Sequence, residues 1–153
     1  MHTYRIAKKK YIHDISGEGA RMFGGRWNKK GTSVLYTAEN RSLATVEYLV
    51  HISMGILPHD SCIAEFFIPD EINYEQIKVT DLPTYWSTYP APLLLTEIGE
   101  KWIKNNNTLL LKVPSSVVKN EWNFLINPKH ELFSKVKITG IELYNFDERL
   151  MKE

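Results

Sequence analysis

Two adjacent glycines, Gly24-Gly25, stand directly before a permanent cation and a large flat ring, Arg26-Trp27, and no other stretch constrains this chain as much. Lacking a Cβ, such a pair lets the backbone turn sharply or come close to a ligand. The guanidinium of Arg26 offers paired donors that match phosphate or carboxylate oxygens. Asn28 and Gly31 follow, and the apolar run Ser33-Val34-Leu35-Tyr36 predicts a strand that carries Tyr36 away from the turn. Asn40 is a good N-cap for a helix from about Arg41 to Met54, with Gly55 placed to end it.

Within that helix Leu43, Val46, Val50 and Met54 recur at helical spacing as one apolar stripe. Glu47 falls inside the stripe, and the nearest basic side chain on its own face is His51, at i+4. An ionised carboxylate turned toward a core is costly unless a cation or hydrogen-bond donors meet it. Glu47 is therefore either a structural carboxylate tied to Arg26 or one that lines a cleft.

The chain has 153 residues, enough for one domain with a real core, and its 43% hydrophobic and 24% charged residues are ordinary for a globular protein. A net charge of +1 without a long basic run argues against direct nucleic-acid binding. Lys8-Lys9-Lys10 reads as a solvated run. No apolar run approaches the roughly 20 residues that span a bilayer. The N-terminal residues lack the basic-then-apolar layout of a secretion signal, so the expected location is the cytoplasm. The single cysteine, Cys62, excludes an intrachain disulfide framework and reads as a buried thiol at the start of an apolar strand. His2, His13, His51, His59 and His130 form no metal-ligand spacing, and no metal is expected. A nucleophile elbow and a phosphate-binding loop are both absent, and no strand–turn–helix unit frames Gly17-Glu18-Gly19 as a dinucleotide fingerprint.

Residues 3–7 predict a first strand, and Ile12 to Ala20 a polar, glycine-bearing loop. Cys62 to Ile68 reads as a strand closed by Pro69-Asp70, and Ile77-Lys78-Val79 as another, short one. Thr80 to Ala91 reads as a loop packed by its own aromatics. Pro92 opens a helix in which Leu95, Ile98 and Trp102 face inward, stopping at Asn105-Asn106-Asn107. Leu109 to Val113 is apolar on both faces and predicts a central strand. Asn123 to Pro128 reads as a strand and turn, His130 to Phe133 as a helical turn, and Val136 to Phe146 as a strand pair broken near Gly140. With no repeat or linker, residues 1–153 read as one α+β domain with a mixed, mainly antiparallel β core and flanking helices.

Several separated motifs together resemble one family. Gly17-x-Gly19-Ala20, Gly24-Gly25-Arg26-Trp27-Asn28, Gly31, Val34-x-Tyr36-x-Ala38 and Leu43-Ala44-x-x-Glu47 resemble the front half of the RES domain. Val113-Pro114-Ser115-Ser116 and Asn123-x-x-x-Asn127-Pro128-x-His130 resemble its back half. The family is named for an arginine, a glutamate and a serine, matched here by Arg26, Glu47 and Ser115, with Ser116 a neighbour able to take the serine's role. From Asp60 to Asn107 no family motif is matched. The resemblance implies a fold like that of ADP-ribosyltransferases and a toxin of a bacterial type II toxin–antitoxin pair. Its partner would be an Xre-like helix-turn-helix antitoxin that binds the toxin, covers its active site and represses the operon. It also implies NAD⁺ as substrate, degraded by hydrolysis or phosphorolysis of the nicotinamide–ribose bond. Transfer of ADP-ribose to a protein through the same residues is the alternative. A non-enzymatic binding module or an RNA-directed toxin is a third reading, which the near-neutral charge disfavours.

On that resemblance, Glu47 would stabilise the positive charge that develops on the ribose as the glycosidic bond breaks. Arg26 would grip the pyrophosphate or orient Glu47. Tyr36 would stack on the nicotinamide or adjoining ribose, and Ser115 would donate to ribose or phosphate. Gly25, Trp27, Ser116 and Asn123 complete the expected NAD⁺ site. Plainer readings stand beside these: Tyr36 as a core or edge aromatic, Ser115 as a turn cap, Trp27 as packing, and His130 as a structural brace.

Overall fold

The computed structural model describes residues 1–53, 56 and 58–151. Its centre is one seven-stranded sheet in the order β4-β5-β6-β2-β1-β3-β7. The strands are β1 (His2–Lys8), β2 (Leu35–Ala38), β3 (Ser61–Phe67), β4 (Tyr74–Gln76), β5 (Leu110–Pro114), β6 (Trp122–Ile126) and β7 (Lys137–Leu143). Among the described residues three α-helices accompany them: α1 (Glu18–Phe23), α2 (Arg41–Leu49) and α3 (Leu93–Asn105). Only β4 and β5 run parallel, and every other neighbouring pair is antiparallel. The mixed, mainly antiparallel α+β reading is therefore correct.

The sheet is weakest where β1 meets β2. These strands share the single registered pair Tyr4–Ala38, whereas β1 stays in register with β3 from His2–Phe67 to Lys8–Ser61. Two half-sheets, β4-β5-β6-β2 and β1-β3-β7, therefore meet at a narrow seam. Side chains alternate between the faces along each strand. On one face Ala7, Leu35, Cys62, Ala64, Phe66, Leu110 and Ile126 form a core closed by Ile12, Ile72 and Val136. On the other, α3 sets Leu95 and Trp102 against Leu111, Val113 and Leu125, while α2 sets Leu43 and Ala44 against Ile6, Ala38 and Ile63.

Local chemistry explains the helix starts. The Asn40 side chain accepts the Leu43 N–H at 2.7 Å and caps α2. Pro92 precedes α3, whose Leu95 and Trp102 are buried and whose end falls at Asn106 in a left-handed conformation. Gly99 has a packing task. A Cβ there would lie 1.7 Å from the Trp27 carbonyl oxygen, so its absence lets α3 press onto the glycine–arginine turn.

Several sequence expectations need correcting. α2 ends at Leu49, and the expected terminus at Met54 and Gly55 lies outside the described residues. Its buried residues are Leu43, Ala44 and Thr45, while Val46 is only half-buried and Val50 is exposed, so of the described members of the expected stripe only Leu43 is fully buried. The expected loop Ile12 to Ala20 contains the start of α1. The short strand comes earlier than expected, at Tyr74–Gln76, because Ile77 turns into the core beside α3 and Val79 begins a 3₁₀ turn. The expected pair over Val136 to Phe146 is one strand, β7, which runs through Gly140 against β3 and absorbs the irregularity as a bulge at Glu65/Phe66. In the Thr80 to Ala91 loop Trp86 packs against the core, whereas Tyr85 and Tyr89 are exposed.

The Gly99 contact generates a test. Gly99→Ala gains up to about 1 kcal/mol of helix preference but must displace the Trp27 backbone, an overpacking cost of roughly 1–3 kcal/mol or more. Net destabilisation is expected in urea unfolding, and a variant as stable as the parent would refute the contact.

Candidate functional site

A cleft of about 980 Å³ opens where the two half-sheets meet, at the upper end of the roughly 300–1,000 Å³ typical of ligand sites. Its walls include Glu47 from α2, Asn123 from β6, Tyr36 from β2, Ser116 and Arg26. The sequence-predicted residues from distant parts of the chain thus share one cavity.

Glu47 sits on the helix face shared by Ala44 and Tyr48, both of which also line the cleft. Its Oε1 accepts two hydrogen bonds, from Ser115 Oγ at 2.7 Å and from Asn123 Nδ2 at 2.6 Å. Among the described residues no side chain or backbone N–H donates to Oε2. Ser115 is buried and carries one hydroxyl proton. Its oxygen accepts the N–H groups of Val117 and Val118 at 3.1 and 3.0 Å, so that proton goes to Glu47. Ser115 is thus a turn cap and a carboxylate clamp at once. The expected donation from Ser115 to ribose or phosphate does not fit, because its only proton is already engaged. Ser116 lines the cleft wall beside it but does not hold Glu47.

Arg26 faces the same cleft without touching Glu47. Its Nη1 donates to the carbonyls of Trp86 (2.9 Å) and Thr88 (3.1 Å), and its Nη2 to Thr88 (3.2 Å). The structural ion pair between Arg26 and Glu47, and the orienting bond expected of Arg26, are therefore both absent. Burial lowers the proton affinity of the Arg26 guanidinium, opposed by the charge of Glu47 and by Tyr36. The group remains a cation, since arginine does not deprotonate in proteins.

Tyr36 presents its ring to the cleft and keeps its hydroxyl inside the protein. That hydroxyl donates to Asn28 Oδ1 at 2.8 Å and accepts the Trp27 N–H at 3.1 Å. Gly25 lies over it: a Cβ there would come within 2.8 Å of both the Tyr36 hydroxyl and Asn28 Oδ1. The close approach that Gly25 permits is therefore to the protein's own side chains. Trp27 is 3% exposed and packs with Leu95, Trp102 and Leu125. It packs into the core and at the same time lines the cleft beside Arg26. His130 is buried and its Nδ1 accepts the Leu132 N–H at 3.1 Å, a capping role away from the cleft.

A second cleft arginine escaped the sequence reading. Arg5, in β1 beside the seam, lines both this cleft and a smaller cavity of about 140 Å³. Its Nη1 donates to the Asp14 carbonyl at 2.7 Å, and no carboxylate among the described residues forms an ion pair with it. Burial lowers its proton affinity, with the Asp14 charge opposing. The available signal was an arginine inside the otherwise uncharged run Thr3-Tyr4-Arg5-Ile6-Ala7.

A split sheet with a donor-clamped carboxylate and two guanidinium groups on one cleft places the chain among α+β domains of a definite kind. The fold superposes with a TM-score of 0.76 on a chain of the crystal structure of the M. tuberculosis MbcT–MbcA toxin–antitoxin complex, over 98% of this chain and 86% of that one, at 14% identity. Residues 2–147 match the RES domain, and the chain belongs to the RES domain family. It is 37% identical over 152 residues to a Yersinia enterocolitica protein named Toxin Res, covering 98% of this chain and 99% of the relative. It is 36% identical over 142 residues to a Sphingobium protein named Prs ADP-ribosylating toxin, covering 92% and 88% respectively. No helix among the described residues is long and apolar enough to cross a membrane.

The Tyr36 hydroxyl gives a pH test. Burial pushes its pKa upward, against the Trp27 N–H bond and the charge of Arg26, with Glu100 adding to the rise. Above the ordinary phenol value of about 10 the unfolded chain releases this proton while the folded chain keeps it. The native state then binds more protons, so stability falls as pH rises. Tyr36→Phe is expected to lose roughly 1–2 kcal/mol at neutral pH from unpaired partners, yet to show a flatter alkaline decline in denaturant titrations. Parallel declines for both proteins would contradict the buried phenol.

Proposed function

We propose that this chain is a bacterial toxin that consumes NAD⁺ by cleaving the nicotinamide–ribose N-glycosidic bond. The observation that carries the reading is Glu47, with Oε1 clamped by Ser115 and Asn123. As the bond from ribose C1′ to the nicotinamide nitrogen breaks, its electron pair leaves with the neutral base and positive charge builds on the ribose. A carboxylate fixed before the reaction stabilises that charge without reorganising during it. The remaining oxygen, Oε2, is available to the ribose hydroxyls. No general acid is required, because the leaving group departs uncharged. The oxygen of water, phosphate or a protein side chain then adds to C1′, and any proton it carries passes to solvent.

Arg26 and Arg5 supply two positive charges for the two negative charges of the pyrophosphate. Both are held by backbone carbonyls, which a phosphate oxygen can replace as partner. The cleft-facing side of Tyr36 offers a platform for the nicotinamide or its ribose, and Gly25, Trp27, Ser116 and Asn123 complete the wall. The relatives named Toxin Res and the fold shared with a chain of a toxin–antitoxin complex support an antitoxin partner, for which we propose an Xre-like helix-turn-helix protein. Consumption of the cellular NAD⁺ pool implies action in the cytoplasm.

A second reading has its own support. The relative named for ADP-ribosylation favours a protein side chain as the acceptor at the same carboxylate. Incubation of the purified chain with labelled NAD⁺ in phosphate buffer, with and without added cell protein, separates the two. Free ADP-ribose or its phosphate means degradation, and label retained on protein means transfer.

Glu47→Gln is expected to lower nicotinamide release about 10²–10³-fold and to abolish growth arrest with it. Asn123→Ala, which removes one of two clamps, is expected to cost about tenfold, the worth of one hydrogen bond to a charged group. Growth arrest by Glu47→Gln without loss of cellular NAD⁺ would sink the proposal.

A further inference from the structure

Residues 25–32 form no regular element beyond the isolated bridge between Gly25 and Asn28, so individual contacts hold Arg26 in place. Inside the turn Asn28 Nδ2 donates to the carbonyls of Ala20, Lys29 and Thr32 at 2.9, 3.1 and 3.0 Å. The outer contacts come from α3. Glu100 Oε1 accepts the Lys29 N–H at 2.9 Å, and Glu100 Oε2 accepts the Thr32 hydroxyl at 2.9 Å. One carboxylate therefore bridges two points of the turn. One position earlier, the Gly99 backbone lies directly against the Trp27 carbonyl. The loop leading into α3 meanwhile holds the tip of Arg26 through Trp86 and Thr88. Residues 86–100 thus grip both the guanidinium and the backbone that carries it.

We propose that Glu100 is a positioning residue, which fixes Arg26 for an anionic ligand by clamping Lys29 and Thr32 to α3. The inference rests on the NAD⁺ reading above, in which the ligand of Arg26 is a pyrophosphate. Glu100 is not among the residues lining the cleft, so its influence passes through the turn. An acceptor-only carboxylate suits a site with two donors. Glutamine preserves the arrangement, because its oxygen still accepts the Lys29 N–H and the Thr32 hydroxyl rotates to accept from its amide. Alanine preserves neither bond. The domain itself does not depend on them, since α3 keeps Leu95 and Trp102 in the core.

The test compares wild type, Glu100→Ala and Glu100→Gln by three measurements: steady-state nicotinamide release, ADP-ribose affinity by calorimetry, and hydrogen exchange at the Lys29 amide. Glu100→Ala is expected to raise both KM for NAD⁺ and Kd for ADP-ribose about tenfold, the loss of a hydrogen bond to a charged group. Its kcat should stay within about twofold of wild type, since interactions made equally in ground and transition states alter KM alone. Its Lys29 amide should exchange faster, and Glu100→Gln should stay within about threefold of wild type in all measures. An unchanged ADP-ribose affinity in Glu100→Ala overturns the inference. So does an equal fall of kcat and affinity with a lowered melting temperature, which would mark mere structural support. Wild type that binds ADP-ribose but releases no nicotinamide defeats the cleavage reading alone, and the affinities still decide the role of Glu100. Wild type that does neither defeats both.

Discussion

Two neutral donors, Ser115 Oγ and Asn123 Nδ2, converge on one oxygen of Glu47, and the cleft is arranged around that meeting. The acceptor belongs to α2 and the donors to the residue just after β5 and to β6, so the contact ties the helix layer to the sheet. Its chemistry is as consequential as its position. A guanidinium in place of the amide and hydroxyl would fix the carboxylate equally well and would cancel its charge. Neutral donors fix direction and leave a full negative charge on the wall, where a partly dry surrounding lets it act more strongly than in bulk water.

The cations follow the same rule with the signs reversed. Arg26 is held by the carbonyls of Trp86 and Thr88, and Arg5 by that of Asp14. Carbonyl oxygens accept the guanidinium protons without neutralising them. The ion pairs among the described side chains, such as Glu18–Arg21, Arg41–Glu142 and Asp147–Arg149, lie instead on the exposed surface. The cleft therefore keeps one negative and two positive groups separate, each oriented and none paired.

Much of this arrangement was legible in the chain itself, through local rules. The Asn40 cap, the inward Leu95 and Trp102, and the doubly apolar strand at Leu110–Pro114 follow from spacing and capping alone. The convergence of Arg26, Glu47, Ser115 and Asn123 followed from the family motif, since nothing local to any of them announces the others. What stayed hidden was tertiary. Val50 continues an apolar stripe in sequence, but α2 has already ended and leaves it exposed. Arg5 looks like a strand residue until the seam beside it shows where its side chain goes. Gly99 reads as an unfavourable helix residue until the Trp27 carbonyl is set against it. Trp27, adjacent to Arg26 in sequence, lines the same cleft yet is almost wholly buried in the core, which its position in the motif does not announce.

The narrow junction between β1 and β2 has a mechanical consequence. A ladder that meets at Tyr4–Ala38 alone resists little twisting between the two half-sheets. Resistance comes from what lies across the junction: on one face the shared core of Ala7, Cys62, Leu35 and Ile126, and on the other α2, whose Leu43 and Ala44 lie across Ile6 on one half and Ala38 on the other like a rivet plate. The same helix bears Glu47. Bracing of the seam on this face and aim of the one acidic cleft group are thus vested in a single nine-residue part, so loosening the brace also disturbs the aim.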